Sequence, residues 1–305
     1  MTPTVRPFAD ADADAVSGVL RAGLPHLLAT PELLRWQVAR AQTPERFGAL
    51  VADVDGVPVG VARTGLLHES AEPGRGFVNL TVRPDRRGRG AGSALLAAAE
   101  QRLVGLGATT AYAMVDDTPA DLAFAERHGY RRGRRSLLLR CDLSVPPPPP
   151  PAPGPGVRLL AAADLPDPRA LYAADLDVSR DEPGEVSMDE IAYADWLAAY
   201  WHRPDLDREL TTVAVADGEV VAFTVGLTDG RHDHRCGMTG TRRPHRRRGL
   251  ARLVKQAALR RAAAAGFRHS VTVNDAGNAA MLGLNETLGY RPVAAQWRYR
   301  RDLPS

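Results

Sequence analysis

Cysteine is scarce in this chain: two residues, Cys141 and Cys236, among 305. That is neither a disulfide framework nor a metal-ligand spacing, so a reducing compartment is the expectation. Long apolar runs are missing as well. No stretch approaches the length that spans a bilayer, and Met1-Thr2-Pro3-Thr4-Val5-Arg6-Pro7 has no apolar signal core. The reading is a cytoplasmic protein with no membrane partner. Net charge is small, at +3. The arginines gather at two turns (Arg83, Arg86, Arg87, Arg89 and Arg242, Arg243, Arg246, Arg247, Arg248), with no basic stripe along a helix and no interleaved aromatics. This pattern excludes nucleic acid as the expected partner and favours a small anion.

What the chain does have is a repeat. Val5-Arg6-Pro7-Phe8 is echoed by Val157-Arg158-Leu159-Leu160, and two hairpins share an Asp-Gly turn, Asp55-Gly56 and Asp217-Gly218. Strand patterns over 77–82 and 236–241 each lead into a small-residue basic turn, then into helical stretches over 94–103 and 253–264. From Arg87 to Tyr130 and from Arg246 to Tyr290 the separations differ by a single residue, so the duplication extends to internal distances. Between the copies stand six consecutive prolines, 146–151, which form an extended spacer that cannot enter a sheet. The expected organisation is therefore an N-terminal domain over 1–143, a linker over 144–156 and a C-terminal domain over 157–305. Each domain is expected to be a hairpin-first, helix-containing α/β unit.

The two turns read Arg87-Gly88-Arg89-Gly90-Ala91-Gly92-Ser93 and Arg246-Arg247-Arg248-Gly249-Leu250-Ala251. A strand, a small-residue turn and a helix N-terminus together make an anion site. The first helical N–H groups have no internal partner, the helix dipole adds partial positive charge, and small residues allow close approach. A pyrophosphate is the inferred ligand. No Gly-Lys-Ser/Thr follows, which excludes a Walker A loop, and no acidic strand end follows at dinucleotide-fold spacing.

These constellations resemble the acetyl-CoA-binding motif of the GNAT N-acyltransferase superfamily, Arg/Gln-x-x-Gly-x-Gly/Ala, here in tandem. The resemblance implies two twisted mixed sheets flanked by helices. It also implies acetyl-CoA as cofactor and direct acetyl transfer to the primary amine of a small molecule. It assigns cofactor contacts to Thr239, Thr241, Arg246, Arg247, Arg248, Gly249, Leu250, Ala251 and Asn278. In the first copy the assignment covers Val82, Arg87, Gly88, Arg89, Gly90, Ala91, Gly92 and Ser93. Asn285 falls where many members place a tyrosine acid, and asparagine cannot replace that proton. The first copy has Ala125 and Thr118 at the Asn285 and Asn278 positions, so chemistry is expected in the second.

Strand alternation places Asp233, Arg235, Gly237, Thr239 and Thr241 on one face, which makes Asp233 the candidate general base, with His232 and His234 beside it. Adjacent strand residues point to opposite faces, so this His-Asp-His run is not read as a metal site. Asp175, Asp177, Asp181, Glu182, Glu185, Asp189 and Glu190, with Tyr193, Trp196, Tyr200 and Trp201, form an acidic, aromatic segment suited to a cationic amine. The rival reading is a non-catalytic acyl-CoA-binding module. Sequence leaves monomer and homodimer equally open.

Overall fold

The computed structural model describes residues 3–39, 45–67, 72–180 and 191–304. The first half of the chain yields β1 (Thr4–Pro7), α1 (Ala13–Gly23), α2 (Pro31–Ala39), β2 (Gly48–Val54), β3 (Val57–Leu66) and β4 (Arg75–Val82). It continues with α3 (Ala91–Gly105), β5 (Thr110–Asp116), α4 (Pro119–Arg127) and β6 (Arg131–Asp142). The second half repeats the order with β7 (Val157–Ala161), α5 (Arg169–Ser179), α6 (Tyr193–Trp196), β8 (Thr212–Ala216), β9 (Glu219–Thr228) and β10 (Asp233–Thr241). It closes with α7 (Leu250–Ala264), β11 (His269–Asp275), α8 (Ala279–Thr287) and β12 (Arg291–Asp302). A widened helical turn over Leu197–Trp201 continues α6. The sequence pattern predicts a helix over 187–200, opened by a Ser187–Glu190 capping box; its 187–190 part lies outside the described residues.

The helices after the two turns begin three residues earlier than their apolar pattern suggests. Gly90 and Gly249 adopt the left-handed conformation, at φ 88° and 75°, and cap the helices, so Ala91 and Leu250 are already helical. Both hairpins turn as expected, through two residues of positive φ: Asp55 and Gly56 in one, Asp217 and Gly218 in the other.

Two compact units result, residues 1–136 with 295–305 and residues 137–294. In the first, β1 to β4 pair antiparallel in chain order and β4 pairs parallel with β5. The strand beyond β5 is β12, paired antiparallel from Gln296↔Asp116 to Asp302↔Thr110. In the second, β7 to β10 are antiparallel in order, β10 runs parallel to β11, and β6 is the neighbour of β11. The last strand of each repeat thus completes the sheet of the other.

The cores record this exchange. Tyr299 and Leu303 sit in the first unit's main cluster with Leu95, Leu103 and Tyr130. Leu139, Cys141 and Leu143 sit with Leu259 and Tyr290 in the second. The polyproline segment lies along α7, where Gln256 Nε2 donates to the Pro148 carbonyl at 3.0 Å and Arg260 to that of Pro147 at 2.6 Å. Proline has no N–H to offer a sheet, but its carbonyls remain good acceptors.

Tyr299 is fully enclosed, and its hydroxyl meets Glu126 and Arg132 of the first unit. Tyr299→Ala should therefore cost about 3 kcal/mol. It should also speed hydrogen exchange at the amides of β5, nearly two hundred residues upstream, before those of β8 and β9. Loss of protection first in β8 and β9 would contradict the observed exchange of strands.

Candidate active site

Each unit contains a parallel strand pair that is joined at one end only. In the first the register runs Arg75↔Thr110, Gly76↔Ala111, Phe77↔Tyr112 and stops. In the second it runs Asp233↔His269, His234↔Ser270, Arg235↔Val271 and stops. Beyond those points main-chain groups that a ladder would satisfy need other partners. The first unit supplies one from a side chain: the Met114 N–H donates to Asn79 Oδ1 at 2.9 Å, which links β4 to β5 again. In the second, Thr272 Oγ1 donates to the Cys236 carbonyl at 3.0 Å.

The second unit has a further irregularity. Cys236 faces Gly226 while Thr239 faces Thr224, so three steps on β10 match two on β9. This bulge leaves main-chain groups around Gly237 and Met238 outside the ladder, beside the open part of the strand pair. The corresponding strand β4 is regular from Leu66↔Gly76 to Gly60↔Val82.

The bulge also corrects the alternation read from sequence. Cross-strand partners share a face, and Leu227 and Thr224 are three residues apart, so Arg235 and Thr239 point to opposite faces. Asp233 consequently lies away from Thr239 and Thr241. It starts the strand rather than belonging to a loop, at the joined end, with its carboxylate 3.6 Å from His269 Nδ1. His232 is exposed; His234 is wholly buried.

The two turns are built alike. Arg87 Nε donates to the Val82 carbonyl at 3.3 Å and Arg246 Nε to that of Thr241 at 3.0 Å, so each motif arginine ties the turn to its strand end. Arg89 and Arg247 are exposed on the turns; Arg248 is exposed too, 3.1 Å from His245 Nδ1. A Cβ placed on Gly88, Gly90 or Gly249 would meet nothing within 4 Å. That open space above free helix N–H groups is what a pyrophosphate requires. The turns differ at the third small position. A Cβ at Gly92 would press on the Phe124 ring at 3.3 Å, whereas Ala251 stands there in the second unit. Ala91 and Leu250 turn into their cores, and Ser93 Oγ lies 3.2 Å from His128 Nε2.

Thr239 Oγ1 is 2.7 Å from Thr224 Oγ1, and Thr241 Oγ1 is enclosed without a partner. Asn278 caps α8, its side chain accepting from the Met281 N–H at 3.1 Å. Asn285 is fully buried; its Nδ2 donates to Asn274 Oδ1 at 2.6 Å, and its own Oδ1 has no partner. The acids of the aromatic segment are engaged where they are described. Asp175 accepts from Trp196 Nε1 at 2.8 Å and Asp177 pairs with Arg242 at 3.3 Å. Asp181, Glu182, Glu185, Asp189 and Glu190 lie outside the described residues. Trp196 and Trp201 are buried and stacked, 6.1 Å apart, as core.

Sequence reasoning missed a buried polar group beneath the strand pair. His234 Nδ1 lies 3.0 Å from Ser270 Oγ, which is 2.7 Å from the Tyr290 hydroxyl. Lys255, the only lysine in the sequence, is 1% exposed and stands over the Tyr290 ring at 5.3 Å. Burial, helped by the charge of Lys255, pushes His234 down to about 3. Both states keep it neutral above its ordinary value near 6.5; below that, only the unfolded chain takes up the proton. Stability should then fall as pH drops from 6.5 towards 3, by about 2 kcal/mol over the first two units, from this group alone. Urea midpoints measured from pH 7 to 4 should drop more steeply in the wild type than in His234→Gln. Parallel curves would refute that origin.

A family model described as the acetyltransferase (GNAT) family matches residues 21–130 and again 171–290. The chain is also similar to a mycothiol acetyltransferase of a Nocardioides species, at 32% identity over 151 residues. That match covers 48% of this chain and spans only half the length of the relative, 50%. Among solved structures, a tandem GNAT protein from the clavulanic acid biosynthesis pathway aligns at TM-score 0.77 with 22% identity, over 99% of both chains. A GCN5-related N-acetyltransferase from Sphaerobacter thermophilus aligns at 0.73 with 23% identity, over 99% of this chain and 96% of that one. Each matched segment starts within the first helix of its repeat, α1 or α5, and runs past the basic turn to the end of α4 or α8: the chain belongs to the GNAT acetyltransferase family, in its tandem form.

Proposed function

We propose that this protein is an acetyl-CoA-dependent N-acetyltransferase of the cytoplasm, acting on the primary amine of a small molecule, with its chemistry in the C-terminal repeat. The observation that carries the assignment to that repeat is the bulge between Cys236 and Thr239 on the half-open strand β10. Main-chain N–H groups released there can bond a thioester oxygen as charge develops on it, and such fixed donors need no particular side chain. The regular β4, with Asn79 closing its gap, offers no equivalent donor.

Bound acetyl-CoA supplies an activated acetyl group. The open turn at Gly249 would hold its pyrophosphate on the N–H groups of Leu250 and Ala251, with Arg247 and Arg248 adding charge. The enclosed Thr241 Oγ1 and Asn285 Oδ1, both without partners, suit a polar ligand at the strand gap. Asn278, at the start of α8, would reach the same ligand. Direct transfer needs an amine without its proton, and Asp233 with His269 is the acid–base pair nearest the joined end of the strands. The first repeat keeps an open turn and is read as a cofactor-binding or structural copy.

A second reading, a non-catalytic acyl-CoA-binding module, draws on Asn285. Its side chain is committed to Asn274 and has no ionisable proton.

Calorimetry with acetyl-CoA tests the proposal. Gly249→Glu should weaken binding at least a hundredfold, since its carboxylate would occupy and repel the phosphate position, while Gly90→Glu should leave that site within twofold. Absence of acetyl-CoA binding to the wild type would defeat the acyltransferase reading. Binding without turnover of any amine would favour the module.

A further inference from the structure

β10 carries a charged residue that none of the assignments above uses. Arg235 pairs with Leu227 on β9, on the face shared by Gly237 and covered by α5 and α6. Leu227 also bridges to Leu206, which brings the 203–206 segment alongside. There Arg203 grips Asp205 through two bonds, Nε to Oδ1 at 2.9 Å and Nη2 to Oδ2 at 2.8 Å. Asp205 is 4% exposed, and both its oxygens are taken by that pair.

Asp205 is close enough to Arg235 to favour its charge, but both carboxylate oxygens are turned to Arg203. Arg235 Nε is enclosed with no hydrogen-bond partner, and Arg235 forms no ion pair among the described residues. Burial and the neighbouring Arg203 both oppose its charge, and among the described residues Asp205 is the acid that favours it. A guanidinium with an enclosed N–H left unpaired is costly, and the cost falls when an anion accepts from it. The planar fork of arginine matches a carboxylate in two-point contact. Position matters equally. Arg235 stands two strand steps, about 7 Å, before Gly237 in the bulge, on the same sheet face. In the first unit the third residue of the joined register is Phe77, packed with Phe47, where the second has Arg235.

We propose that Arg235, held beside the Arg203–Asp205 pair, receives a carboxylate of the acceptor, so that the acceptor is a small amine which also carries a carboxylate. The inference rests on the C-terminal repeat being the site of transfer. An amine placed at the bulge would have its carboxylate within reach of the Arg235 side chain, across a few bonds. Asp175 and Asp177, occupied by Trp196 and Arg242, leave the acceptor's amine to be recognised elsewhere.

The full-length protein loaded with CoA can be titrated calorimetrically with glycine, L-alanine, β-alanine and γ-aminobutyrate, each against its amide. Conversion to the amide removes the charge at nearly constant size. At least one acid should bind tenfold or more tightly than its amide. Arg235→Met should abolish that preference with acetyl-CoA affinity kept within twofold, and Arg235→Lys should restore part of it. If no acid binds more tightly than its amide in the wild type, the proposal is overturned without recourse to any variant. The same holds if Arg235→Met, shown folded by acetyl-CoA binding, keeps the preference. Amides acetylated as efficiently as acids would overturn this inference and leave acetyl transfer standing. Failure to bind acetyl-CoA would remove the reading beneath both.

Discussion

Two parallel strands that pair for only three residues leave main-chain donors and acceptors without a ladder, and each unit is built around its answer to that deficit. Buried main-chain groups without partners are too costly to leave in place. In the first unit Asn79 reaches across to the Met114 N–H and closes the gap from within. In the second, Thr272 takes the Cys236 carbonyl, and the bulge keeps the groups at Gly237 and Met238 out of the ladder. Both copies thus use a side chain at the open strand pair, and only the second adds a bulge to it.

The second unit carries other costs of the same kind. His234, Lys255 and Asn285 are buried polar groups, and the half-buried Arg235 has an enclosed Nε and no ion pair among the described residues. The first unit has Ala125 where the second has Asn285, and Phe77 where it has Arg235. The first unit has buried polar groups of its own, among them Asp53, Thr64 and the enclosed Nε of Arg63. The exchanged strands β6 and β12 tie the two repeats together, because each core contains residues from the last strand of the other repeat.

Much of the fold was legible. The Asp-Gly hairpins have one favourable turn conformation, and the left-handed glycines of the two basic turns occur where the small-residue pattern placed them. The order of strands and helices followed from period and turn chemistry alone. The alternation of β10 was misread because a bulge needs no special residue: Gly237 is the only hint, and Cys236-Gly237-Met238-Thr239 gives no sign of where the extra residue lies. The acids of the α5–α6 segment looked available in sequence; Asp175 and Asp177 turn out to be engaged by Trp196 and Arg242, contacts that no local spacing encodes.

The sequence by itself determined the local conformations, since φ at a glycine, the start of a helix and the two-residue turn depend on neighbours in the chain. It also determined the duplication and the position of each small-residue basic turn. Only tertiary structure decided which strand completes which sheet, because β6 and β12 are both strands of the same length and either could pair locally with its own repeat. It likewise decided which charges are spent and which remain. Whether Arg235 or Arg203 secures Asp205 depends on where the 203–206 segment meets β9, a contact made between residues far apart in the chain.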